Sequence, residues 1–191
     1  ILKNFLGTDI CLFNNTALWI NEPNNKNPVL NKSPHTDAWT GTGINTIFMK
    51  YWFTNIDKYN GVTVYPGTHL QGMLPVKNRT LDDIHELDFY SVNLYKIKMG
   101  DILIWHPLLL HKTTGHSKKN MRISMTLRYT STDTEFTSQE KSLGYRMISV
   151  GPHNTINRII GNDYLTPLRT YGGFSGIDKR LKKIYKHGNY R

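Results

Sequence analysis

Short apolar or alternating segments separated by turn residues make up most of this chain. These segments are rich in Ile, Val, Tyr, Trp, Phe and Thr, the side chains that suit a pleated, half-buried strand. They are Ile10–Phe13, Ala17–Ile20, Thr46–Thr54, Gly61–Tyr65, Leu94–Lys98, Ile102–Trp105 and Arg122–Tyr129. Strands at this spacing usually form a sandwich, a barrel or a jelly roll. The pattern therefore predicts an all-β fold.

Turn residues and a few helix signals complete this prediction. Asn60-Gly61 is a strong hairpin signal, because a type I′ turn requires positive φ at both central residues. Met99-Gly100-Asp101 predicts a second tight reversal. Thr80–Leu87 predicts one or two helical turns with Thr80 as the cap. Asp178–Lys186 predicts a short helix whose basic side chains form a solvated face.

The length and composition of the chain suit one folded domain. Of its 191 residues, 38% are hydrophobic and 12% aromatic, which is enough to bury a core. No repeat and no Gly- or Pro-rich linker divides the chain, so we expect a single domain over residues 1–191. Because the first residue is Ile1 rather than Met, we expect the natural protein to begin upstream and this domain to lack its N-terminal part.

The apolar runs and the cysteine content indicate the compartment in which the protein is expected. No apolar run approaches the about 18 residues that a membrane-spanning helix needs, so we expect no membrane span. The single cysteine, Cys11, cannot form an internal disulfide, and Cys-based zinc sites need several thiolates. This cysteine content favours a reducing compartment, and we expect the cytoplasm.

The charge of the chain favours anionic partners in general. Lys and Arg together number 24 against 14 Asp and Glu, which gives a formal net charge of +10. The chain is also rich in Asn, Lys and Ile, a bias that a genome poor in G and C produces without selection for binding. The charge therefore does not decide between a small anionic molecule and a nucleic acid.

The segment from Arg122 to Tyr129 alternates strictly between polar and apolar residues. On a strand, Arg122, Ser124, Thr126 and Arg128 share one face, and the apolar residues between them share the other. Two cations set among small hydroxyl groups suit a pocket that receives a carboxylate through paired hydrogen bonds. We therefore favour a pocket over a solvent-exposed surface for this polar face.

Three residues form a candidate metal site. His35 and Asp37 are two apart, so on a strand both side chains point to the same side. This pair is weak evidence alone, but His111 follows the hydrophobic stretch Trp105–Leu110. Two His and one carboxylate are the facial triad that holds non-haem Fe(II) and leaves coordination positions open.

These pieces occur in an order that resembles the phytanoyl-CoA dioxygenase family of Fe(II)/2-oxoglutarate-dependent oxygenases. The family's H-x-D motif is similar to His35-Thr36-Asp37, although the middle residue is often Gln in the family. Its Asn-Gly turn, strand and Pro-Gly-Ser/Thr-His motif resembles Asn60–His69. Its Gly-Asp, apolar strand and His-Pro-Leu-Leu-Leu-His run resembles Gly100–His111. The resemblance extends from about Trp19 to Tyr129.

The resemblance implies a fold, a reaction and a set of ligands. The fold is a double-stranded β-helix, the jelly roll of the cupins, with a few short flanking helices. The enzyme uses Fe(II), O2 and 2-oxoglutarate, releases succinate and CO2, and hydroxylates a substrate; the presence of Asp37 favours hydroxylation over halogenation. The implied metal ligands are His35, Asp37 and His111. Arg122, eleven residues after the second metal His, binds the distal carboxylate of 2-oxoglutarate, with further contacts from Thr113, Ser124 and Asn21.

A substrate pocket is expected beside the metal. Its predicted lining residues are Trp39, Tyr51, His69, Trp105 and Arg128. For His69 a structural hydrogen bond is the favoured alternative, and His106 is interpreted as a packed or hydrogen-bonded residue rather than a ligand. The expected substrate is a small anionic or polar metabolite, with Lys50 and Arg79 as further cations at the rim.

Two other functions remain open at this point. A nucleic-acid demethylase of the same chemistry fits the positive charge and the spacing of Arg122 and Arg128, but no cluster of base-stacking aromatic residues accompanies them. A jelly-roll module that binds a ligand without catalysis is the alternative from a different class. A metal with open coordination positions distinguishes the enzyme from the module.

Overall fold

The computed structural model describes residues 1–23, 33–57, 61–77, 80–81, 89–113 and 120–159. Most regular structure in these ranges is antiparallel strand, with a few short helices, so the all-β prediction is confirmed. None of the helices in this described part is long and apolar enough to cross a membrane. The helices and strands are α1 Leu2–Leu6, β1 Ile10–Phe13, β2 Ala17–Asn21, β3 Thr46–Trp52, β4 Val62–Val64, β5 Val76–Lys77, β6 Thr80–Leu81, β7 Val92–Leu94, β8 Ile102–Trp105, β9 His111–Thr113, β10 Arg122–Ser131, α2 Ser138–Leu143, β11 Tyr145–Ser149 and α3 Pro152–Ile159, with 3-10 turns at Asp37–Thr40 and Thr68–Gln71.

Contacts along the chain divide it into two compact units. The first contains residues 1–15 and the described residues from Tyr129 onwards, and the second contains the described residues of Thr16–Arg128. The sequence predicts one domain over residues 1–191.

The first unit is built on strand β1, which pairs antiparallel with β11 and with the last residues of β10. Its core contains Cys11, Phe13, Phe136 and Tyr145, each at most 2% exposed. The three aromatic rings meet edge to face, with centroids 4.8 to 6.3 Å apart. This geometry is the one that aromatic quadrupoles favour.

A buried carboxylate holds the first turn of α3 in this unit. Asp9 is 5% exposed, and its Oδ1 accepts a hydrogen bond from the backbone N–H of Gly151 at 3.1 Å. Its Oδ2 accepts from the Thr8 hydroxyl at 3.0 Å. A Cβ at position 151 would collide with Thr8 Oγ1 and lie 2.6 Å from Asp9 Oδ2. Only glycine allows the start of α3 to come this close to the carboxylate.

The second unit contains two main sheets. In the larger one, β10 lies between β2 and β3, and β3 also pairs with β8. The smaller sheet has the order β7-β4-β9, and β5 and β6 form a separate two-stranded ribbon. The Arg122 side chain donates a long hydrogen bond of 3.4 Å to the carbonyl of Gly61, the residue before β4. This bond joins the larger sheet to the start of the smaller one.

The polar face of β10 is its buried face. Arg122, Ser124 and Thr126 are at most 9% exposed, whereas Leu18 and Ile20 of the paired strand β2 are 59% and 52% exposed. This burial reverses the usual arrangement of a sheet that is packed on one side. The polar residues of β10 therefore point into the unit, as the pocket interpretation expected.

Most strand predictions agree with the structure, but two local predictions are wrong and one helix is missed. The strand expected at Leu94–Lys98 ends at Leu94, because Ile97 packs in the core with Trp52 and bonds the Ile56 N–H with its backbone carbonyl. Thr80 does not cap a helix, since Thr80–Leu81 pairs as a strand with Val76–Lys77. The Leu2–Leu6 helix was not predicted.

Some turn and helix predictions lie on or beside residues that the structure leaves undescribed. The reversal at Met99-Gly100-Asp101 is confirmed: Gly100 has φ 93°, and the Asp101 N–H bonds the Lys98 carbonyl at 3.0 Å. Asn60, Arg79, the remainder of Thr80–Leu87 and the helix predicted at Asp178–Lys186 lie outside the described residues.

Helix α2 carries a start signal that the sequence analysis missed. The Thr137 side chain accepts from the Glu140 N–H, and the Glu140 carboxylate accepts from the Thr137 N–H at 2.9 Å. This reciprocal pair is a capping box, and its spacing, Thr-x-x-Glu, is visible in the sequence.

We expect Asp9→Ala to lower the free energy of unfolding by about 3 kcal/mol, because it removes a charge-assisted bond and leaves the Gly151 N–H without its acceptor. Urea unfolding followed by circular dichroism measures the change. Asp133→Ala, at an exposed position of the same unit, is the control and should change stability by less than about 0.5 kcal/mol. Equal effects of the two variants would contradict the role given to Asp9.

Candidate metal centre

A backbone bridge brings the two candidate histidine ligands together. The His35 N–H bonds the His111 carbonyl, and the His111 N–H bonds the His35 carbonyl, both at 3.0 Å. This isolated antiparallel bridge joins residues far apart in sequence, and it places the two imidazole rings with centroids 4.4 Å apart. A third bond, from the Ala38 N–H to the Pro107 carbonyl at 3.1 Å, extends the connection past Asp37.

Both imidazoles are oriented by backbone carbonyls. Nδ1 of His35 lies 2.9 Å from the Ser33 carbonyl, and Nδ1 of His111 lies 3.0 Å from the Leu109 carbonyl. Since a carbonyl only accepts, each Nδ1 carries a proton, and in the neutral form of each ring Nε2 is the unprotonated nitrogen. A hydrogen bond of this kind fixes the tautomer and the ring orientation of a histidine that binds metal.

Asp37 completes a group of three potential ligand atoms. These atoms of His35, Asp37 and His111 all lie within 4.8 Å of one another, and His111 Nε2 is 3.8 Å from Asp37 Oδ2. The same carboxylate oxygen accepts a hydrogen bond from the Trp105 indole N–H at 2.8 Å. The structure thus brings together the three residues that the sequence indicated as a metal triad.

His106 has a different arrangement, although it lies only five residues before His111. Its Nδ1 accepts a hydrogen bond from the Leu108 N–H at 3.1 Å, so this nitrogen is not protonated. Burial, and next the neighbouring His69, lower the pKa of His106, while a backbone hydrogen bond to Ile44 opposes this shift. His106 is therefore a neutral, hydrogen-bonded residue, as expected from the sequence.

The candidate 2-oxoglutarate residues are buried on neighbouring strands. Arg122 is 3% exposed, and burial lowers its pKa to about 10. Asn21 is its direct partner across the β2–β10 pair, and Ser124 is the next residue on the same face. On β9, Thr113 shares a face with His111 and lies opposite Val62. Thr113 is thus paired with the residue that follows Gly61, and the Gly61 carbonyl accepts the Arg122 bond.

Buried polar atoms beside Arg122 fit a bound carboxylate. Ser124 is fully buried, and its Oγ has no hydrogen-bond partner among the described residues. Oδ1 of Asn21 also has no partner there, but this acceptor needs a donor and is not satisfied by a carboxylate. An unsatisfied buried hydroxyl costs about 1–3 kcal/mol. A ligand carboxylate would accept the Ser124 proton and would offset the desolvation of the guanidinium. These residues therefore fit an anionic co-substrate.

The predicted substrate-pocket residues occupy different environments. Trp39 packs with Tyr65, Leu74 and Leu110, and its indole donates to the Leu74 carbonyl at 3.0 Å, so it belongs to the core. Tyr51 bonds Met49 Sδ on the face of β3 opposite Phe48, so the structure does not bring it to the triad.

The other three pocket residues differ in how they relate to the triad. Trp105 contacts the triad directly through Asp37. Arg128 contacts the ring of Phe48, which stacks on Trp105. His69 lies 5.8 Å from His106 between ring centroids, and its buried Nδ1 has no hydrogen-bond partner in the described part of the chain. The structural bond that the sequence favoured for His69 is thus not made by this nitrogen.

Sequence reasoning missed the role of Thr68. This fully buried hydroxyl donates to the Tyr65 carbonyl at 2.8 Å and accepts the Leu110 N–H at 3.0 Å. It therefore holds the residue that precedes His111. The Pro-Gly-Thr-His motif signals a turn at this point, but no feature of the sequence shows what the turn binds.

Solved structures resemble this chain in fold. The structure resembles the non-haem monooxygenase ThoJ, with TM-score 0.62 and 16% identity over 97% of this chain and 72% of ThoJ. It resembles EctD from S. alaskensis, whose structure holds 2-oxoglutarate and 5-hydroxyectoine, with TM-score 0.56 and 17% identity over 70% of this chain and 49% of EctD. It also resembles the epimerase SnoN, in complex with Fe3+, α-ketoglutarate and nogalamycin RO, with TM-score 0.53 and 18% identity over 65% of this chain and 51% of SnoN.

These likenesses confirm the predicted double-stranded β-helix fold. The chain spans about half the length of EctD and of SnoN. A comparison with curated proteins found no match. A sequence profile of the phytanoyl-CoA dioxygenase family matches residues 1–124, which is more than half of the chain and includes the triad and Arg122. The chain therefore belongs to the phytanoyl-CoA dioxygenase family of non-haem Fe(II)- and 2-oxoglutarate-dependent oxygenases.

Proposed function

We propose that this chain hydroxylates a small anionic or polar metabolite with Fe(II), O2 and 2-oxoglutarate, and releases succinate and CO2. One observation carries the proposal: the ligand atoms of His35, Asp37 and His111 lie within 4.8 Å of one another, and Nδ1 of each imidazole is hydrogen-bonded to a backbone carbonyl. Family membership excludes the module that binds a ligand without catalysis.

The donor set of the triad suits Fe(II). Two imidazole nitrogens and one carboxylate are the ligands of non-haem iron oxygenases, and thiolates, which a structural zinc site favours, are missing from this group. When bound, the ion would supply activation of O2 coupled to oxidation of 2-oxoglutarate. The protein's own part is to present three fixed donors and to leave the remaining positions open.

Arg122 and its neighbours would hold the co-substrate. The guanidinium offers a planar fork of donors to the distal carboxylate, and Ser124 Oγ and Thr113 offer hydroxyl groups near it. Asn21 lies directly across the sheet from Arg122 and adds an amide. Because Thr113 and His111 share one face of β9, a molecule anchored at Arg122 would extend toward the metal.

We propose hydroxylation because the triad contains a carboxylate ligand. Asp37 fills the third protein position, so an exogenous halide has no vacated ligand position in the triad. The fold alone does not choose the reaction, since SnoN is an epimerase. The substrate carbon that lies nearest the metal would decide the product.

The proposed charge of the substrate rests on the cations of the buried face. Arg128 continues the polar face of β10 beyond Thr126, and Lys50 lies on the face of β3 that also carries Phe48. These side chains contact the rings of Phe48 and Trp52 at 5.0 Å. Their positive potential would attract an anionic group of a substrate. A methylated nucleic acid remains the second candidate, supported by the net charge of +10.

Removal of His111 tests the metal site. We expect His111→Ala to weaken Fe(II) binding by at least about 100-fold, because a lost ligand costs more than the 10- to 100-fold of a lost outer-shell contact. Anaerobic calorimetry measures the affinity. His106→Ala is the matched control and should bind Fe(II) as the wild type does. The triad assignment fails if His111→Ala keeps wild-type affinity, or if His106→Ala loses as much.

Removal of Arg122 tests the co-substrate site. We expect Arg122→Ala to weaken 2-oxoglutarate binding by about 10- to 150-fold, which corresponds to the loss of a charge-assisted contact. Arg122→Lys should give an intermediate loss, because it keeps the charge without the fork of donors. The exposed Arg146 serves as the control through Arg146→Ala. An unchanged calorimetric affinity in folded Arg122→Ala would refute the assignment.

A substrate panel tests the proposed substrate class. Succinate release should rise with carboxylate-, phosphate- or CoA-bearing metabolites, and Arg128→Ala should raise KM for the active one more than Arg146→Ala does. Methylated oligonucleotides should give no coupled turnover. If only the oligonucleotides support turnover, with a log–log salt slope of about −0.9 per phosphate contacted, the nucleic-acid function replaces the proposed one.

A further inference from the structure

A closed ring of contacts starts and ends at Asp37, the carboxylate ligand of the triad. Starting from the carboxylate, the Trp105 indole donates to Asp37 Oδ2 at 2.8 Å. Returning to the backbone, the Thr40 hydroxyl donates to the Asp37 carbonyl at 2.7 Å. Between these ends, Trp105 stacks on Phe48, Phe48 contacts Arg128, and Arg128 donates to Thr42. The Thr42 hydroxyl lies 3.4 Å from the Thr40 hydroxyl, which closes the ring. Every link of this ring joins side chains or backbone of the second unit.

The indole itself has little freedom to move. Trp105 is the last residue of β8 and pairs directly with Phe48 of β3. The two rings are stacked, with centroids 5.4 Å apart and planes 25° apart. The Arg128 guanidinium lies 5.0 Å from the Phe48 centroid and donates to Thr42 Oγ1 at 3.4 Å. Strand pairing and stacking together fix the direction in which the indole N–H points.

Each of the three ligand side chains is oriented by a hydrogen bond. The Ser33 and Leu109 carbonyls orient His35 and His111 through Nδ1. Asp37 lies at the start of a 3-10 turn, and its carboxylate has a free torsion about Cβ–Cγ that the backbone does not control. The Trp105 N–H removes this freedom, because rotation of the carboxylate breaks the bond to Oδ2.

We propose that Trp105 is a positioning residue for the metal centre, which fixes the carboxylate of Asp37 through its indole N–H. This inference rests on the proposed function and gives Trp105 a role other than the lining of a substrate pocket. With its rotation restricted by this bond, the carboxylate would hold its oxygen atoms at a fixed position relative to the two histidine donors. A bound metal would then meet three donors that are already in place.

The test compares two Trp→Phe variants that each remove one indole hydrogen bond. Trp105→Phe keeps a ring against Phe48 but loses the N–H that reaches Asp37. Trp39→Phe, the matched control, loses the bond to the Leu74 carbonyl in the hydrophobic core. Binding of Co(II), a spectroscopic substitute for Fe(II), is measured by calorimetry and visible absorption, beside thermal unfolding of the metal-free proteins.

We expect Trp105→Phe to weaken Co(II) binding by about 10- to 100-fold, the usual effect of a lost outer-shell contact, and to change the Co(II) absorption spectrum. Trp39→Phe should keep the wild-type affinity and spectrum, even if it lowers the unfolding temperature. If Trp105→Phe does not fold, Phe48→Leu is used instead, because it removes the ring on which the indole stacks and keeps the indole N–H. We expect Phe48→Leu to bind Co(II) about 3- to 10-fold more weakly than the wild type, a smaller effect than complete loss of the contact.

The outcomes separate this inference from the proposed function. If the wild type binds Co(II) and folded Trp105→Phe binds it within twofold and with the same spectrum, the positioning role is wrong and the metal site stands. If Trp39→Phe loses affinity as much as Trp105→Phe, the effect is one of general stability and the positioning role is also wrong. If the wild type binds no divalent metal, the proposed function is wrong and the inference falls with it.

Discussion

The candidate active site depends on the pair of backbone hydrogen bonds between His35 and His111. These bonds of 3.0 Å set the distance between two ligands that are far apart in the chain. Because they involve only backbone groups, they leave both imidazoles available, and the carbonyls of Ser33 and Leu109 then select the tautomer. A loss of this bridge would separate the ligands without altering any of them. Thr68 also supports the bridge, because its hydroxyl accepts the N–H of Leu110, the residue before His111.

The second constraint is the reversed burial of the larger sheet. Arg122 and Ser124 lie inside the unit, while Leu18 and Ile20 of the neighbouring strand are exposed. Burial of a guanidinium and of an unpartnered hydroxyl is costly, and hydrophobic burial on that face cannot account for it. The proposed co-substrate carboxylate would offset this cost by accepting hydrogen bonds from the guanidinium and from the Ser124 hydroxyl.

The supports of the metal ligands come from different kinds of interaction. Two histidines are oriented by local carbonyls, within two residues of each ring. Asp37 is oriented by Trp105, which lies 68 residues away in the chain and is itself held by strand pairing and by stacking on Phe48. The first two supports need only the local backbone conformation, whereas the third also needs the pairing of β3 with β8 in the larger sheet.

The sequence alone determined strands β1 to β4, β8 and β10, the Met99–Asp101 turn and the alternation on β10, because these features depend on neighbouring residues and on a period of two. It also indicated the triad and Arg122, since their spacing and order carry information. Only the tertiary structure decided that Trp105 contacts Asp37, that Trp39 packs in the core and that Tyr51 faces away from the triad. The physical reason is that strand register and the pairing of distant segments choose the partner of a side chain, and no local pattern encodes that choice.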